Sequence, residues 1–78
     1  MHTIVEAMRK FSDDLQVVFS GCGTLRNLIE PMDTLEPLEA LAQEEGIKDL
    51  LSEIKSTHSG NKSIVANAEI LQQLISKM

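Results

Sequence analysis

Apolar residues recur along this chain at intervals of three and four, the spacing of one face of an α-helix, and do not alternate as strand residues do. Ile4, Val5, Met8 and Phe11 open the pattern. Ser12-Asp13-Asp14 follows, a cluster suited to accepting the free N–H groups of a new helix, and Asp13 with Gln16 reads as a capping box. Leu15, Val18, Cys22, Leu25 and Ile29 then form one continuous stripe. Pro31 is expected to end that helix by disfavouring helical geometry at Glu30. Asp33 and Thr34 can cap a short helix whose first turn holds Pro37 and whose apolar side is Leu35, Leu38, Leu41 and Ala42. Gly46 is expected to stop it at a position of positive φ. Ile47, Leu50, Leu51 and Ile54 begin a fourth helix, which runs out over residues 56–60. Asn61 can cap a fifth, striped by Ile64, Ala68, Leu71 and Ile75. The expected fold is all-α, with about five helices.

The pattern repeats. With a shift of 46 residues, Ile4 falls on Leu50, Val5 on Leu51 and Met8 on Ile54. Val18 falls on Ile64, Cys22 on Ala68, Leu25 on Leu71, Leu28 on Leu74 and Ile29 on Ile75. Two blocks match, 1–32 and 47–78, with the Pro37 helix between them. A period of about 40–47 residues built of two or three helices is that of armadillo and HEAT arrays.

Glu45-Gly46-Ile47 stands where an armadillo repeat has its glycine turn, and Thr24-Leu25-Arg26-Asn27-Leu28 is similar to the Ala-Leu-x-Asn-Leu ending of its third helix. The chain therefore resembles the armadillo (HEAT-like) helical repeat family. Residues 1–32 resemble the second and third helices of a first repeat, and 33–78 resemble one full repeat. The resemblance implies a right-handed α-solenoid and a non-enzymatic protein–protein interaction scaffold that uses the surface of its third helices. In peptide-binding members an Asn amide holds the bound backbone, and a Trp four residues before it forms side-chain slots. Asn27 matches that Asn, but Gly23 stands at the Trp position, and the second block has Glu69 and Gln73 there. The expected binding row is Gln16, Ser20, Gly23, Asn27 and Glu30, matched by Lys62, Ala66, Glu69, Gln73 and Ser76. Both rows are polar and small, open to close approach by another protein or peptide. Self-association through exposed end repeats is the other implied mode.

Composition narrows the classes. The chain has 78 residues, two of them aromatic and none Trp or Tyr, so the core must be aliphatic. A chain this short buries only about 60% of its unfolded surface, and its core is correspondingly marginal. One Cys excludes a disulfide scaffold, and a four-ligand zinc site lacks ligands. Seven Lys and Arg against twelve Asp and Glu give a net charge of −5, which argues against nucleic acid as partner. The acidity is concentrated in residues 30–53, read either as a solvated helix face or as a patch for a basic partner. No apolar run reaches the roughly 20 residues of a membrane span. The absence of a signal-peptide pattern makes an intracellular protein the expectation, cytoplasmic or nuclear.

No nucleophile–base pair, metal cluster or nucleotide loop is recognisable, so neither an enzyme nor a cofactor is expected. Cys22 reads as a small buried residue, Gly21 and Gly23 as points of close helix contact between neighbouring repeats, and the four methionines as gap fillers. His2 and His58 fall near helix ends and are expected to face solvent. An acyl carrier domain is the alternative from a different class. Length, acidity and helix content fit it, and Asp33-Thr34-Leu35 resembles its Asp-Ser-Leu attachment site. A carrier needs Ser where Thr34 stands, however, and that fold leaves the 46-residue repeat unexplained.

Overall fold

The structure, a computed structural model, describes residues 2–31 and 34–77. Among the described residues it is all-helical: α1 (His2–Lys10), α2 (Leu15–Ile29), α3 (Glu36–Ala42), α4 (Ile47–Thr57) and α5 (Lys62–Ser76). The helix starts have identifiable causes. Asp14, in extended geometry, caps α2 by accepting the N–H groups of Gln16 and Val17 at 3.0 and 3.2 Å. The cap is thus Asp14, and the capping box expected from Asp13 and Gln16 does not form. Asn61 caps α5 as expected, accepting from Ile64 N–H at 3.1 Å. Leu35 occupies the N-cap position of α3 without any side-chain cap, and Pro37 lies in the first turn. Of the two capping residues expected there, Thr34 makes no such bond, and Asp33 lies outside the described residues.

Two punctuation marks act differently from their sequence reading. Glu30 keeps helical geometry (φ −58°, ψ −36°), and its N–H still bonds the Arg26 carbonyl at 2.7 Å. Pro31 ends α2 because it has no N–H to donate, not by unwinding the residue before it. Gly46 does take the left-handed conformation (φ 70°), but it stands at the N-cap of α4 rather than at the end of α3.

The core is aliphatic throughout. Val5 and Met8 of α1 meet Val18, Cys22, Leu25 and Ile29 of α2 in one cluster. Leu38 and Leu41 of α3 join it, as do four residues of α4 and Ile64, Ala68, Leu71 and Ile75 of α5. No polar or charged side chain among the described residues is buried. Six buried pairs are related by 46 residues: 5 and 51, 8 and 54, 18 and 64, 22 and 68, 25 and 71, 29 and 75. Helix α2 packs on α1, α5 on α4, and α2 on α5. The two hairpin turns also meet, where His58 Nε2 donates to the Ser12 carbonyl at 2.8 Å, and these two residues are themselves 46 apart. Further along, Arg26 of α2 reaches Asn67 of α5 at 2.8 Å. The Ser12–His58 contact lies just before the starts of both helices and the Arg26–Asn67 contact further along both, so α2 and α5 run side by side in the same direction.

Four residues placed on the apolar pattern are not in the core. Phe11 is 45% exposed, Leu15 51%, Leu28 49% and Leu35 55%. Each stands outside its helix or in a terminal turn: Phe11 follows α1, Leu15 opens α2, Leu28 lies in the last turn of α2, and Leu35 precedes α3.

Candidate functional site

The expected binding row is solvent-accessible on both helices. Gln16, Ser20 and Asn27 of α2 and its C-cap Glu30 are exposed, and Gly23 is half-buried. On the second hairpin Lys62, Glu69 and Gln73 are exposed, and so are Ala66 and Ser76. Helical spacing along two helices that run the same way accounts for this, because both stripes point inward and leave the same face outward.

The row is divided among several open depressions. Gln16 and Ser20 line one of about 600 Å³ together with Leu15, Phe19 and Asn61. Glu69, Gln73 and Ser76 line a second of about 410 Å³ with Lys55, Gln72 and Lys77. Asn27 and Glu30 border a third with Pro31. The first of these differs from its sequence reading. Beside the two polar residues it carries Leu15 and Phe19, both about half exposed, and its far wall is the cap residue of the other hairpin. The signal for Phe19 was present in the sequence: it stands between the apolar-stripe positions Val18 and Cys22 yet belongs to neither neighbouring turn of the stripe.

Several polar groups of the row are already engaged. The Glu30 carboxylate pairs with the Arg26 guanidinium, which also donates to Asn67. Gln72, next to Gln73, donates to Ser52 Oγ at 2.9 Å and so ties α5 to α4. Asn27 and Gln73 are both exposed, and an amide side chain can both donate and accept hydrogen bonds.

The glycines divide. A Cβ on Gly21 would lie 2.4 Å from Met8 Sδ and 2.5 Å from Met8 Cγ, so Gly21 lets α1 and α2 close on each other. That contact lies within one hairpin rather than between neighbouring ones. A Cβ on Gly23 would meet nothing within 4 Å, so the close-packing expectation fails there. The open space above Gly23 is instead accessible from outside.

The histidines hold layers together. His2 Nδ1 donates to the Glu44 carboxylate at 2.9 Å. His58, expected to face solvent, is half-buried and bridges the two turns through Ser12. Arg9 adds a bond to the Glu45 carbonyl, just before the Gly46 turn. The acidic middle is largely solvated: Glu36, Glu39, Glu45, Asp49 and Glu53 are exposed, and Glu44 is half-buried against His2.

Burial pushes the Cys22 thiol up from 9.0 to about 11, so it stays protonated and inert at neutral pH. Among the described residues no group of three or more His, Cys, Asp or Glu could hold a metal ion. Among the described residues no helix is long and apolar enough to cross a membrane. Thr34 is exposed, two residues before α3. A comparison with protein-family models, with curated proteins and with solved structures finds no match.

Proposed function

We propose that this chain is a non-enzymatic protein–protein interaction module of the armadillo-like type. In this reading residues 1–32 are the second and third helices of one repeat, 33–78 are a full repeat, and α2 and α5 are the third helices of a right-handed solenoid. What supports it most is the pairing of buried positions 46 residues apart, together with the contact between the equivalent turn residues Ser12 and His58. A hairpin that recurs in sequence and rests on its own repeat is how helical solenoids grow.

The partner is another protein or peptide, held along Gln16, Ser20, Gly23, Asn27 and Glu30 and along Lys62, Glu69 and Gln73. Exposed amides at Asn27 and Gln73 supply backbone hydrogen bonds, and Leu15 and Phe19 supply apolar contact at the α2 end of the row. With Gly23 and Glu69 where peptide-binding relatives carry Trp, the surface lacks side-chain slots of the nuclear-import kind. Its expected setting is inside the cell.

Photoreactive residues introduced one at a time at Ser20, Asn27 and Gln73, with Glu53 on α4 as control, test the assignment in cells. Crosslinking of one common partner from the first three positions and not from Glu53 is expected. Crosslinks equally strong from Glu53, or none from the row, would overturn it.

A further inference from the structure

We draw no further inference here: the strongest candidate, the half-exposed apolar patch of Phe11, Leu15 and Phe19 where α1 turns into α2, is an unpartnered face, and nothing in the structure shows what covers it.

Discussion

The hairpin α1–α2 and the hairpin α4–α5 bury the same six positions, yet they present different surfaces. Where the first exposes Phe11, Leu15 and Phe19, the second has Thr57, Asn61 and Val65, and Val65 is half-buried. Their helix starts differ as well: α2 is capped by Asp14, whereas α5 is capped one position later in the repeat frame, by Asn61. The inner packing repeats and the outer chemistry does not. Core volume and period constrain the stripe, because a methylene lost there is felt at once. Outward positions escape that constraint and are free to diverge toward different contacts.

The equivalence of the two cores can be broken most sharply at Leu25 and Leu71, which are 46 apart and both fully buried. Each lies on a helix that packs chiefly against three others, α2 on α1, α3 and α5, and α5 on α2, α3 and α4. Leu25→Ala and Leu71→Ala should each cost about 2–5 kcal/mol in urea unfolding. Costs within about 1.5 kcal/mol of each other are expected, and a larger gap would mean that one hairpin carries the fold.

Cys22 and its repeat mate Ala68 differ in one titrating atom. The folded state holds the thiol proton to about 11 against 9.0 unfolded, so its contribution is complete below pH 9 and declines as the pH rises toward 11. At pH 10.5 the loss should be about 2 kcal/mol relative to pH 8. Cys22→Ala should lack that component, and the difference between the two pH-stability curves measures it.

The glycines offer a contrast of sign. Gly21→Ala drives a methyl into Met8, which overpacking places at about 1–3 kcal/mol, only partly offset by better helix propensity. Shortening the neighbour in a Gly21→Ala, Met8→Val double variant should cost less than the two changes summed. Gly23→Ala meets open space and should stabilise by roughly 0.5–1 kcal/mol. Thermal unfolding of these variants and of Met8→Val alone reads both effects.

The caps give a smaller test. Asp14 satisfies two N–H groups and Asn61 one, so Asp14→Ala and Asn61→Ala should each cost about 1 kcal/mol, with Asp14 the costlier.

Much of this fold was legible in the sequence because it rests on local signals. The stripes of α2 and α5, the turn glycine at Gly46 and the Asn61 cap all depend on residues within a few positions of one another. What was not legible depended on where helices end relative to their neighbours. Leu15 sits on the α2 stripe by spacing but at its first turn, and the second hairpin offers only Asn61 at that level. Asp13 and Asp14 are equally plausible caps by composition, and the choice is settled by which carboxylate meets the Gln16 and Val17 N–H groups. His58 was unreadable for a similar reason, since its acceptor lies 46 residues away. For the candidate site, helical spacing sufficed to place the exposed row. It missed the exposed Phe19 beside the stripe and the Arg26–Asn67 link, which exists only once α2 and α5 lie together.

The proposed solenoid requires that α2 and α5 run in the same direction and in register. Nitroxide labels at two pairs of exposed positions, Ser20 with Ala66 and Asn27 with Gln73, measure this directly. Neighbouring helices lie about 8–10 Å apart, so both label pairs should be short and should differ by no more than about 5 Å. If the helices instead ran in opposite directions, seven residues at about 1.5 Å each on both helices would move the axial offset by roughly 20 Å between the pairs, and that result would contradict the account.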